Sequence, residues 1–187
     1  MKQIILSLPN WMTLTRIILI PIFILAFYLP FSFSHAFAAV IFALACFTDW
    51  LDGYLARKLE QSSSFGAFLD PVADKLLVST SLLLLLGERD LPFITLPAIV
   101  IVGREIVISA LREWMAEIGQ RVSVAVSYMG KVKTIIQMLA IFLLVAYSPA
   151  TSWWGVVGIV LLYVAAGLTI WSMVVYLMIA WPELTKR

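Results

Sequence analysis

Charge is what this chain has least of. Only 13% of its 187 residues are Asp, Glu, Lys or Arg, against about 25% in a soluble domain. No such residue occurs between Lys133 and Glu183. At about 20 residues per span, that gap holds two helices and a turn. The shortage excludes an ordinary soluble domain. The 63% hydrophobic content and mean hydropathy of +1.02 point the same way, to an integral membrane protein. The net charge of +2 is too small to suggest a nucleic-acid partner. Cysteine is limited to Cys46, in an apolar run, so no disulfide can form within the chain and Cys46 reads as a small core residue. Low-complexity segments and sequence repeats are also missing. The N-terminus offers one Lys2 and no small-residue cleavage site, so its first apolar run reads as a retained span.

Apolar windows and their breaks predict an all-α, polytopic membrane protein with six transmembrane helices, a single domain over residues 1–187. The expected helices run from Met12 to Phe31, His35 to Lys58, Phe65 to Leu86, Phe93 to Ile118, Ser127 to Tyr147 and Trp153 to Trp181. Pro21 and Pro97 fall inside helices and are expected to kink them. His35 belongs to the first outer turn, with no catalytic role expected. Trp153, Trp154 and Trp181 fit interfacial belts, whereas Trp171 falls mid-helix and reads as a packing residue. Lys2, Arg16, Arg57, Lys58, Arg104, Arg112, Arg121, Lys131, Lys133, Lys186 and Arg187 collect on one side of this arrangement, with only Arg89 opposite. The positive-inside rule then puts both termini and the Ser62–Ser64 turn in the cytoplasm.

Against this background four acids stand out. Asp49, Asp52, Asp70 and Asp74 lie within 26 residues of each other, in two apolar stretches. A carboxylate at bilayer depth costs roughly 3 kcal/mol on insertion scales. On helices, Asp49, Asp52 or Gly53, and Ala56 share one face, and Gly66, Asp70 and Asp74 share another. Folding the two helices antiparallel about a turn near residues 61–62 brings Asp52 level with Asp70 and Asp49 level with Asp74. Such a cluster cannot stay ionised in an apolar medium without cations, unless some carboxylates are protonated. Hard divalent ions take carboxylate oxygens, and Mg²⁺ commonly binds substrate phosphates as well. Gly53, Ala56 and Gly66 leave room for close helix approach or for those phosphates. Two other readings compete. Buried acids paired with Arg57, Lys58 and Lys75 would be purely structural. A divalent-cation transporter would explain acids at depth, but not the glycine, alanine and arginine positions around them.

The segment Asp49, Trp50, Leu51, Asp52, Gly53, Tyr54, Leu55, Ala56, Arg57, then eight intervening residues, Gly66, three residues, Asp70, three residues and Asp74, resembles the CDP-alcohol phosphotransferase family at every fixed position. The resemblance implies that Asp49, Asp52 and Asp70 bind divalent metal, with Asp74 as general base. It also implies that Gly53, Ala56, Arg57 and Gly66 contact the CDP portion of the donor. Leu8 to Arg16, Arg104 to Glu117 and Val124 to Thr134 are similar to the phosphatidylglycerophosphate synthase branch of that family, Met12 standing where leucine is more usual. These later segments, not the aspartate motif, carry the choice of acceptor. The branch implies CDP-diacylglycerol and sn-glycerol 3-phosphate as substrates, a bacterial inner-membrane location and a homodimer. It also places Asn10, Thr13 and Arg16 near the nucleotide, although as isolated polar residues they read only as a helix entry.

The basic residues suit this acceptor. Glycerol 3-phosphate is a dianion, and the planar fork of arginine matches phosphate. Arg104 and Arg112 are eight apart and face one side of a helix, unless Glu105 and Glu113 neutralise them. Lys131 and Lys133 open the next helix at the same membrane face. Lys58, Lys186 and Arg187 read instead as snorkelling or orientation charges. The expected chemistry uses two Mg²⁺ or Mn²⁺ ions held by Asp49, Asp52 and Asp70, with Asp74 shared. A sister enzyme with inositol phosphate or serine as acceptor would share the aspartates.

Overall fold

The computed structural model describes residues 8–59, 64–88, 93–118, 128–147 and 152–185. Lys2, the turn at 61–63, Arg89, Arg121, Lys186 and Arg187 lie outside the described residues, as do the side chains of Ala56, Arg57 and Lys131. The orientation expected from those charges rests on the sequence.

Every described element is a helix: α1 Leu8–Phe27, α2 Ser34–Leu59, α3 Ser64–Gly87, α4 Thr95–Glu117, α5 Tyr128–Ala146 and α6 Trp153–Thr185. Each matches an expected helix to within a few residues. The largest shift is in α1, which starts four residues before Met12 and stops at Phe27 instead of Phe31. Pro30 explains the stop. It has no N–H to continue the ladder, and it disfavours helical geometry at Leu29. Pro21 does lie inside α1. Pro97, in contrast, is the third residue of α4. The amides of a first turn have no helical partner, so proline costs nothing there and no kink is required. The proline that does interrupt a second helix is Pro71, in α3 beside Asp70.

Three segments are long and apolar enough to cross a membrane: 10–27, 34–55 and 153–181. A shorter apolar helix covers Val132–Ala146. The helices α3 and α4 do not read as spans by composition because they carry Asp70, Asp74 and Lys75, and Arg104, Glu105, Arg112 and Glu113.

The packing order departs from a simple antiparallel pairing of α2 with α3. Instead α1 lies closely against α2 and also touches α3, so it inserts its own face between the two aspartate-bearing helices. Next, α5 packs on α2 and α3, and α6 covers α5 and α4. Phe23 and Phe42 meet at a ring separation of 5.9 Å and belong to a core continued by Leu82, Ile101, Ile141 and Leu162. In apolar spans such packing is held by van der Waals contact between the helices, since lipid is as apolar as the side chains themselves. Cys46 is half-buried, its Sγ 3.9 Å from Met138 Sδ where α2 meets α5. Before α4, Phe93 holds a left-handed backbone (φ 66°), and its carbonyl accepts a 2.7 Å hydrogen bond from Tyr163 Oη on α6. Trp171 corrects an expectation: it is 65% exposed and faces away from the helices, not into their packing.

Candidate active site

The site begins with α1. Its sequence places Asn10, Thr13 and Arg16 three residues apart, one helical face, and all three are buried. Arg16 is wholly buried, in a helix otherwise apolar beyond that point. Its guanidinium explains how it is tolerated there. Nη1 lies 2.8 Å from Asp49 Oδ1 and also binds Asp74, while Nη2 binds Asp52. Thr13, one turn earlier, donates from Oγ1 to Asp70 Oδ1 at 2.5 Å. One short stretch of α1 therefore contacts all four aspartates of α2 and α3.

This geometry changes the reading of the acids. They do gather, as their spacing on two helices predicts, and among the described residues the cation paired with them is Arg16. Lys58 instead lies over the Tyr54 ring, 5.7 Å from its centroid. The resemblance sets Arg16 near the nucleotide and the orientation reading counts it with the charges of one membrane side; its direct pairing with Asp49, Asp52 and Asp74 goes beyond both. The available signal was the one that drew attention to the aspartates: a charge within an apolar helix. Glycines 53 and 66 are half-buried and buried respectively.

The four aspartates offer only hard oxygen donors, the chemistry that Mg²⁺ and Mn²⁺ prefer. They differ in access. Asp52 is 6% exposed, whereas Asp49 and Asp74 are 43% and 45% exposed. The set suits a hard divalent cation by donor type and by its open side. Among the described residues no three carboxylates converge closely enough to hold an ion as they stand, with Arg16 lying between them.

Asp74 also faces a second compartment. A cavity of about 130 Å³ is lined by Asp74 and Lys75 from α3, Glu105 from α4, and Lys133, Thr134 and Gln137 from α5. Val78 and Met138 give it an apolar side. Glu105 accepts from Arg104 Nη1 at 2.9 Å and from Lys133 Nζ at 3.4 Å. It fixes both cations while using only part of their donor capacity, since an ammonium has three N–H bonds and a guanidinium five. The expected pairing of Glu105 with Arg104 is therefore present, and it joins α4 to Lys133. Arg112 makes a different contact, with its guanidinium 5.6 Å from the centre of the Tyr176 ring on α6. Gln137 is the lining residue that the sequence reading leaves out; an amide four residues after Lys133 in an apolar helix is its signal.

Comparison with known proteins converges on one family. Residues 6–182 match the family model for CDP-alcohol phosphatidyltransferase. A protein of Pseudomonas fluorescens is 55% identical over 180 residues, covering 96% of this chain and 92% of its own length. One from Sodalis glossinidius is 55% identical over 182 residues, with 97% and 99% covered. One from Yersinia enterocolitica is 52% identical over 181 residues, with 97% and 98% covered. All three relatives bear the name CDP-diacylglycerol–glycerol-3-phosphate 3-phosphatidyltransferase.

Proposed function

The chain belongs to the CDP-alcohol phosphatidyltransferase family, and from that premise we propose that it transfers the phosphatidyl group of CDP-diacylglycerol to sn-glycerol 3-phosphate. The products are phosphatidylglycerol phosphate and CMP. The observation that carries this reading within the structure is the double membership of Asp74. It belongs to the aspartate cluster around Arg16 and to the cavity that holds Lys133. A donor compartment and an anion-accepting compartment thus share one carboxylate.

Asp49, Asp52 and Asp70, with Asp74 shared, would hold one or two Mg²⁺ or Mn²⁺ ions. When bound, such ions supply charge neutralisation for the donor's diphosphate. Arg16 holds Asp49, Asp52 and Asp74 in register, and Thr13 orients Asp70. Asn10, Gly53, Ala56, Arg57 and Gly66 flank the CDP portion. On the acceptor side Lys133 and Arg104, fixed by Glu105, attract the phosphate, and the sequence reading adds Lys131 and Arg112 to this set. The acceptor's primary hydroxyl gives its proton to Asp74 and attacks the phosphorus that carries the diacylglycerol. The bond from that phosphorus to the bridging oxygen breaks, and CMP leaves with the electron pair. Positioning and electrostatics supply most of the acceleration in such transfers.

The same reading places six helices across a bacterial inner membrane, with the site and both termini at the cytoplasmic side. A homodimer follows from the family resemblance. Purified protein incubated with CDP-diacylglycerol, Mg²⁺ and one candidate alcohol at a time provides the test. CMP release with sn-glycerol 3-phosphate supports the proposal. Release only with serine or inositol phosphate would mean a sister activity, and absence of release with every alcohol would remove the transferase reading.

A further inference from the structure

Gln137 lies on α5 one turn beyond Lys133, and both side chains are buried against the cavity that Asp74 lines. The Oε1 of Gln137 has no hydrogen-bond partner among the described residues. A buried polar atom left unpaired is uncommon in a folded protein and calls for a specific explanation. One water needs roughly 10–15 Å³ of such space, and the cavity of about 130 Å³ admits something larger. Its walls sort that occupant by chemistry. Lys133 offers charge for an anion. Asp74 accepts a proton. Gln137 is neutral and carries both a donor and an acceptor, which suits an uncharged hydroxyl. Val78 and Met138 present apolar surface for a short carbon chain.

We propose that Gln137 reads the secondary hydroxyl of the acceptor, pairing its amide with the oxygen on the middle carbon of a three-carbon polyol phosphate whose phosphate meets Lys133 and whose reacting hydroxyl meets Asp74. This rests on the acceptor reading above and adds a specificity-determining residue to it. A site built to bond a hydroxyl rejects an analogue without it, because its own buried polar group is then left unpaired.

The test compares sn-glycerol 3-phosphate with 3-hydroxypropyl phosphate, which lacks only the middle hydroxyl, by CMP release from CDP-diacylglycerol. The wild-type kcat/KM favours sn-glycerol 3-phosphate by at least about tenfold, the scale of one well-made hydrogen bond. Gln137→Met, similar in length and without the amide, brings the two acceptors to within about threefold while the KM for CDP-diacylglycerol stays unchanged. Its thermal midpoint changes little, since the amide oxygen that is removed has no hydrogen-bond partner among the described residues. A Gln137→Met enzyme that keeps the wild-type preference overturns the proposal. A wild-type enzyme that uses both phosphates equally also overturns it, without recourse to a variant. If neither phosphate is used and another alcohol releases CMP, the acceptor reading fails first and the role of Gln137 falls with it.

Discussion

Arg16 Nη1 stands 2.8 Å from Asp49 Oδ1, with the arginine side chain wholly buried and the aspartate 43% exposed. A fixed interior cation thus meets a carboxylate that retains access to the outside. Removing the arginine leaves Asp52, which is 6% exposed, without its ionic partner. Breaking a buried ion pair from one side costs about 3–5 kcal/mol. Arg16→Met is therefore expected to lower the thermal midpoint in detergent with divalent ions chelated, and to abolish transfer. Arg16→Lys should recover part of the stability and little of the rate, because a point charge cannot bridge three carboxylates as a planar fork does. An unchanged midpoint in Arg16→Met would show that the acids do not depend on this cation.

Asp52→Asn keeps the shape of the side chain and removes a charge. Arg16 retains Asp49 and Asp74 as partners, so the folded protein should persist while transfer falls by about 10² or more. Added Mg²⁺ stabilises a protein that binds it by RT ln(1 + c/Kd), where c is the free Mg²⁺ concentration, so weaker binding gives a smaller gain. The Mg²⁺-dependent rise in thermal midpoint should thus be smaller in Asp52→Asn than in the wild type. Near-normal turnover at saturating Mg²⁺ would remove Asp52 from the metal-binding set.

Lys133→Gln addresses the acceptor compartment. A hydrogen bond to a charged group contributes about 1.5–3 kcal/mol, so KM for sn-glycerol 3-phosphate should rise roughly ten- to hundredfold. KM for CDP-diacylglycerol should hold. Arg112→Lys is expected to have the smaller effect, because Arg112 lies over Tyr176 and does not share the contact with Glu105. Equal increases in both KM values for Lys133→Gln would assign this lysine to the fold or to the other substrate.

Asp74→Asn separates chemistry from binding. With Asp49, Asp52 and Asp70 intact, CDP-diacylglycerol binding in Mg²⁺ should change less than about tenfold, while kcat falls by about 10² or more, the range of general-base catalysis. Collapse of nucleotide binding together with the rate would make Asp74 chiefly a metal ligand.

Two glycines of α6 give a test of the packing alone. A Cβ on Gly158 would stand 2.9 Å from Leu144 Cγ and 3.2 Å from Leu143 Cβ. Gly158→Ala should destabilise by about 1–3 kcal/mol, as overpacking does. A Cβ on Gly167 meets nothing within 4 Å, so Gly167→Ala should be neutral or mildly stabilising through helix propensity. Equal thermal midpoints for the two variants would contradict the close approach of α5 and α6.

The sequence by itself determined the class of the protein and the position of its helices. Long apolar windows interrupted by Pro30 and the Ser62–Ser64 segment are local properties, and each helix forms where its own stretch of chain requires. The gathering of Asp49, Asp52, Asp70 and Asp74 was legible for the same reason, since helical spacing puts each pair on one face. Local spacing could not decide which third element comes between those faces. Only the tertiary packing put α1 against both α2 and α3 and carried Arg16 into the cluster, through contacts that bridge 33 to 58 positions of chain. It likewise turned Trp171 outward, where a mid-helix position alone suggested packing. It also set Gln137 and Lys133 of α5 against Asp74 of α3, on helices whose sequences carry no record of facing each other. Periodicity fixes which side of a helix is polar, whereas the partner of that side depends on how the remaining helices fill space around it.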